Sequence, residues 1–196
     1  MDDNIKIFNS VADPFFIESI EAGTDMSTLE YHRNGEEVYA DGRQVMSRSC
    51  HDILISYPDL AGQKGILLIN RKAEPARSYL WPIGGFYDRG ILTPNSIASR
   101  VKNESGLEIN KNSLLILGSI RMMWKTTPNK NAEAKGLPLG IDDNTLLWYA
   151  EGKGELFLDK LHENPLIVTS EMYTKEFRGS LHPYIQMGMD RAIKLI

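Results

Sequence analysis

The chain has a single cysteine, Cys50, in 196 residues. An internal disulfide is excluded, and a small cystine-stapled fold with it. A lone thiol fits a reducing compartment, so a cytoplasmic location is expected. Long hydrophobic runs are missing as well. No stretch approaches the ~20 apolar residues of a membrane span, and the acidic start MDDN lacks a secretory leader pattern, so no membrane role is expected. Positive charge is not in excess: a formal net charge of −4 offers no electrostatic reason to bind nucleic acid. Internal repeats, low-complexity tracts, a GxSxG elbow, a P-loop and a GxGxxG fingerprint are all absent. The four histidines, His32, His51, His162 and His182, are scattered without metal-ligand spacing. What is present is ordinary for a globular chain, 42% apolar and 24% charged, with length enough for one domain and a substantial core.

The pattern along the chain is mixed α/β. DPFFIESIEA, from Asp13 to Ala22, reads as a short amphipathic helix capped by Asp13 with Pro14 in its first turn. From Met26 to Ser49, polar and β-prone residues surround turn signals at Asn34-Gly35 and Asp41-Gly42, which suits an antiparallel ribbon. CHDILISY (50–57) and GILLINR (65–71) are the strongest strands, joined by a turn at 58–62. Further strands are expected over Leu114–Trp124 and Thr145–Glu151, a short helix after Ser170, and a terminal helix from His182 to Leu195. Residues 1–45 then form an N-terminal helix and ribbon extension, and 46–196 the main domain.

Between these strands and the rest lies LWPIGGFYDRGILTPNSIASRVKNESGLEI, from Leu80 to Ile109. It reads as a loop over 84–92 followed by a helix from about Pro94 to Ser105. Thr93 is placed as N-cap, Pro94 in the first turn, and Gly106 as the left-handed C-cap. Residues three and four apart share a helix face, so Arg100, Asn103 and Glu104 point the same way.

Set against G-x5-E-x7-R-E-U-x-E-E-x-G-U, with U a bulky aliphatic, this segment resembles a Nudix box. Gly85 and Gly106 take the first and last glycines without insertion or deletion. Trp81-Pro82-Ile83-Gly84-Gly85 is similar to the motif's usual lead-in, Val101 and Leu107 fill the aliphatic positions, and Glu104 fills the second glutamate of the pair. Four positions depart: Ile91 stands for the first glutamate, Ser99 for the arginine, Arg100 for the next glutamate and Asn103 for the first of the pair. The resemblance implies a Nudix-like α/β/α sandwich with a mixed sheet, a pocket for a nucleoside diphosphate-type small molecule, and a helix face that holds Mg²⁺ or Mn²⁺.

The departures bear on that last point. Hard cations want several oxygen ligands, preferably anionic. Here Glu104 supplies one carboxylate, with Asp88 or a later acid such as Asp143 as helpers, while Arg100 brings a permanent positive charge. At an effective dielectric of about 20, a guanidinium ~5 Å from a divalent ion repels it by several kcal/mol. Any metal is therefore expected to be weakly held or absent. Arg100 is expected to pair with Glu104 or to meet a substrate phosphate, for which a guanidinium fork is suited.

Two functions follow. The first is a divergent hydrolase of a nucleoside diphosphate linked to another moiety. GDP-mannose hydrolases, which resemble this chain in tolerating an altered box, point to a nucleotide sugar and to substitution at the sugar carbon. Glu104 and Arg100 would be its catalytic pair, Gly84, Gly85, Arg89, Arg100 and Trp124 its substrate contacts, and Glu104, Asp88 and Asp143 its metal ligands. The second is a binding module that holds a nucleotide-like ligand or a partner without turnover. A homodimer through the N-terminal extension is a further expectation.

Other residues stay open. The segment KTTPNKNAEAKGLPLGIDDN, 125–144, is long for a loop inside a compact domain, and Glu133, Asp142 or Asp143 could serve as a compensating acid or a solvated turn. Trp124, Trp148 and Tyr149 are base-stacking or core residues. Cys50 and His51 face opposite ways along a strand and form no dyad. His182 is a helix cap or a general base, and the sequence singles out no other base for the attacking water.

Overall fold

The computed structural model describes residues 4–8, 16–20, 47–73, 76–124, 134 and 141–196. Strand β1 (Asn4–Phe8) pairs antiparallel with β2 (Phe16–Ile20), Phe8 opposite Phe16 and Asn4 opposite Ile20. This corrects the helix expected over 13–22. FIESI is a short run with as much period-2 as helical character, and a strand wins once NIKIF supplies a partner. The ribbon expected over 26–49 lies outside the described residues, save for its last three.

The main domain begins with β3 (Arg48–Pro58), the axis of a seven-stranded mixed sheet. Residues 50 to 56 of β3 are buried without alternation, as a strand must be when both of its faces are covered. β4 (Lys64–Arg71) and β6 (Ile83–Phe86) pair with it antiparallel, and β8 (Ile141–Lys153) runs parallel to it. β5 (Leu80–Trp81) and β9 (His162–Thr169) flank β4, while β7 (Glu108–Trp124) pairs antiparallel with β8. Both β7 and β8 are longer than their apolar runs suggested. Asp142, Asp143 and Asn144 lie inside β8, opposite Met123, Met122 and Arg121 of β7, rather than in a loop. Glu133 and the lysines at 125, 130 and 135 lie outside the described residues.

Helix α1 (Thr93–Ser105) covers one face of the sheet. Ile97 and Val101 pack there on Ile53, Ile55, Leu67, Ile69, Ile116 and Trp148. Helix α2 (Lys175–Ser180) and helix α3 (Pro183–Ala192) follow β9, and α3 covers the other face, setting Tyr184, Ile185 and Met189 on Leu54, Ile66, Leu68, Leu147 and Val168. A 3₁₀ turn (Ile193–Leu195) ends the chain. The result is the α/β/α sandwich expected. Trp148 and Tyr149 are buried in its two cores, and Cys50 is a buried free thiol. Among the described residues no helix is long and apolar enough to cross a membrane.

The helix bounds match the sequence closely, but the cap differs. The first α1 bonds, from the amides of Asn95 and Ser96, go to the carbonyl of Leu92, and no side chain caps the helix. With Pro94 lacking an N–H, fewer amides need a cap, and Thr93 turns into the core instead. At the other end Gly106 adopts φ 71°, the left-handed cap its identity implied. The loop expected over 84–92 is also shorter, because Gly84 and Gly85 belong to β6.

Candidate functional site

Gly84 and Gly85 are where the sheet meets α1, and each leaves room for a charged side chain. A Cβ at Gly84 would stand 2.0 Å from Asp52 Oδ1, so the Asp52 carboxyl fills that space. A Cβ at Gly85 would stand 3.2 Å from Arg100 Cζ, so the guanidinium lies over the Gly85 backbone. Arg100 sits 5.3 Å from the Phe86 ring centroid and donates from Nη1 to Glu104 Oε1 at 3.2 Å. The side chains of Arg100 and Glu104 keep only 23% and 12% of their exposure, which makes this an interior pair rather than a solvated one.

Glu104 Oε2 is buried without a hydrogen-bond partner and faces His162 Nε2 at 3.9 Å. His162 opens β9, a strand that the sequence reading did not separate from its surroundings. Its Nδ1 lies 2.7 Å from Asp159 Oδ1, and the same carboxylate oxygen accepts from the Leu161 amide. A carboxylate on Nδ1 favours the tautomer with its proton there and leaves Nε2 as a lone pair aimed at Glu104. Sequence reasoning passed over His162. The three-residue step from Asp159 to His162, just before the β-prone run LIVT, was the available signal.

Burial shapes the titration of this cluster. Desolvation raises the Glu104 carboxyl, against the pull of the Arg100 charge. On the opposite sheet face Asp52 is pushed up to about 7 by burial, although the Arg71 charge and the hydrogen bond from Trp81 pull it down. The Trp81 Nε1–H donates to Asp52 Oδ2 at 3.2 Å. His51, on the α1 side, is pushed down to about 3 by burial and by the nearby Arg100 charge.

The remaining sequence candidates scatter. Asp88 Oδ2 accepts from the Ser96 hydroxyl at 3.2 Å, and Asp143 is held by Arg48 through two 2.7 Å bonds. Arg89 is exposed, and Trp124 ends β7. His182 is the N-cap of α3, accepting from the Tyr184 amide at 3.3 Å, which is the cap reading of that residue. The acids named for Mg²⁺ or Mn²⁺ thus have three different engagements, and Arg100 occupies one oxygen of Glu104. Among the described residues no three His, Cys, Asp or Glu side chains form a group able to hold a metal. These donors do not fit the ion.

No family model and no curated protein matches the sequence. Solved structures do match. A MutT NUDIX hydrolase from Burkholderia pseudomallei superposes with a TM-score of 0.53 at 15% identity, covering 74% of this chain and 98% of that one. A MutT protein from Methanosarcina mazei Go1 gives 0.52 at 14% identity, covering 76% and 94%. A MutT/nudix family protein from Enterococcus faecalis, at 22% identity and a TM-score of 0.47, aligns over 63% of this chain, which spans only 44% of its length. The chain has the Nudix fold.

Proposed function

We propose that the chain is a Nudix-type hydrolase of a nucleoside diphosphate joined to a second moiety, a nucleotide sugar being the substrate class, with His162 as general base. The observation that carries this reading is the 2.7 Å contact of Asp159 with His162 Nδ1, which turns Nε2 toward Glu104 beside Arg100. A base held by a carboxylate on its far nitrogen is the arrangement that activates a water or hydroxyl.

In this reading the diphosphate meets the Arg100 guanidinium over Gly85. Water attacks the sugar carbon, and its proton passes to His162 Nε2. The bond from that carbon to the bridging oxygen breaks, and its electron pair stays on the diphosphate. Arg100 offsets the charge that develops there, and Glu104 keeps the guanidinium oriented until the anion competes for it. Arg100 thus supplies at the box helix part of the cationic role that a metal would fill. A homodimer through the N-terminal segment belongs to the same reading, and sedimentation of the full chain tests it.

The experiment is turnover of a nucleotide-sugar panel in H₂¹⁸O. The label is expected on the released sugar, and His162→Asn is expected to lower kcat per folded molecule by about 10² to 10³. Label on phosphate overturns attack at carbon. Saturable binding of panel members without turnover overturns the enzyme and leaves the binding module.

A further inference from the structure

His51 is fully buried on the α1 face of β3, and the chemistry above does not use it. Its Nε2 lies 3.2 Å from Ser96 Oγ. That hydroxyl also faces Asp88 Oδ2 at 3.2 Å and the Asp88 amide at 3.3 Å. A carboxylate only accepts, so Ser96 gives its single proton to Asp88 and must receive one from His51. His51 is therefore the Nε2–H tautomer, and its Nδ1 is a lone pair. That Nδ1 is buried with no hydrogen-bond partner, and so is Arg100 Nε, which is a donor.

The register puts the two orphans on one face of the sheet. His51 is directly opposite Gly85 across the β3–β6 ladder, so both positions present the same sheet face. A Cβ on Gly85 would be 3.3 Å from Arg100 Nε. The Tyr87 ring closes edge-on over the imidazole at 4.7 Å between centroids, holding it in place.

We propose that His51 is the positioning residue of Arg100, its Nδ1 lone pair accepting the Arg100 Nε proton directly or through one shared water. The guanidinium is then fixed along two edges. Nε goes to His51 and Nη1 to Glu104, which leaves the Nη2 edge as the fork for a phosphate. The network through Ser96 to Asp88 ties this arrangement to the loop that borders the site. An apolar side chain at position 51 would orphan a buried donor on a charged group, the costliest kind of unmade bond. The effect on ligand affinity rests on the reading that a diphosphate meets Arg100. The hydrogen bond itself does not.

¹⁵N NMR of the full-length protein tests both separately. Without ligand, the His51 nitrogens are expected to report the Nε2–H tautomer. The Arg100 Nε–H, assigned through its loss in Arg100→Lys, is expected to exchange slowly with solvent. His51→Asn, whose side-chain oxygen stands near the Nδ1 position, keeps that protection, and His51→Leu speeds exchange by about tenfold or more. An Nδ1–H tautomer in the unmutated protein, or unchanged exchange in folded His51→Leu, overturns the proposal. With inorganic pyrophosphate as probe, His51→Leu is expected to bind roughly tenfold more weakly and His51→Asn near normally. Pyrophosphate affinity that Arg100→Lys leaves intact overturns the diphosphate reading, while the ligand-free spectra still decide the part of His51.

Discussion

The two faces of β3 beneath the paired glycines solve the same problem with opposite chemistry. On the α3 side a potential anion, Asp52, is buried under Gly84 with Trp81 and Tyr184 about it. On the α1 side a potential cation, His51, is buried next to Gly85 with Ser96, Tyr87 and the Arg100 charge about it. Desolvation drives both toward the neutral form, Asp52 upward and His51 downward. Further out lies the Arg100–Glu104 pair, in which one Nη1–H meets Glu104 Oε1 while Arg100 Nε and Glu104 Oε2 have no hydrogen-bond partner. The contrast separates side chains that set the shape of the site from those that carry its charge.

The largest expected effect breaks one side of that comparison. In Gly84→Ala the new methyl would stand 2.0 Å from Asp52 Oδ1 and 2.4 Å from the His51 carbonyl oxygen, so backbone must move. A loss of about 3 kcal/mol is expected from urea unfolding. In Gly85→Ala the nearest atoms, at 3.2 to 3.4 Å, belong to the end of a flexible arginine. Stability should fall by less than about 1 kcal/mol, but pyrophosphate affinity should drop because the guanidinium is displaced. Equal destabilisation by the two substitutions would show that the sheet faces are not distinct.

The second prediction concerns pH. Asp52 moves from an ordinary 3.8 to about 7 on folding, so between those values the native state holds a proton that the unfolded chain has released, and stability falls as pH rises. His51 moves from 6.5 to about 3, so between those values the unfolded chain holds the extra proton, and stability rises with pH. Across the shared window, from about pH 4 to 6.5, the two slopes oppose and cancel. Asp52→Asn should therefore make stability climb with pH relative to the unmodified protein, and His51→Asn should make it decline. Each slope is at most about 1.4 kcal/mol per pH unit. Parallel profiles for all three proteins would sink the assignment.

Much of the frame behind these predictions was legible before any coordinates. Helix α1 announced itself through Pro94, its apolar stripe and Gly106, and the Arg100–Glu104 pair followed because a four-residue spacing is local geometry. Legibility ended where partners are distant in the chain. His162 meets Glu104 only because β9 docks beside β4, and nothing near His162 in sequence encodes that. Asp52 and His51 looked like strand residues, and their opposite environments depend on which helix covers which face. FIESI was misread because its apolar residues fit two periods, and the choice depended on pairing with NIKIF. The extension of β8 back to Ile141 likewise came from β7, whose length gives residues 141 to 144 partners.

The smallest effect is expected at the two adjacent acids of β8, and it sharpens the contrast between charge that is structural and charge that is available. Asp142 meets Arg121 at 2.6 Å, but Arg121 keeps 62% of its exposure and Asp142 32%. Solvent screens such a pair, so Asp142→Asn should leave both unfolding and turnover unchanged. Asp143 is 8% exposed and accepts from two nitrogens of the Arg48 guanidinium, so removing the acid breaks both of these charge-assisted bonds. Asp143→Asn should lower stability by about 1 to 3 kcal/mol, measured by urea unfolding. Turnover per folded molecule should stay within about twofold of the unmodified protein, because among the described residues no hydrogen bond or ion pair of Asp143 reaches Arg100, Glu104 or His162. A selective loss of turnover in Asp143→Asn, with the fold intact, would instead tie the acid to the reaction, as the box resemblance implied. The same measurement on Glu104→Gln gives the reference for what such a loss looks like, since Glu104 carries the open carboxylate oxygen at the centre of the site.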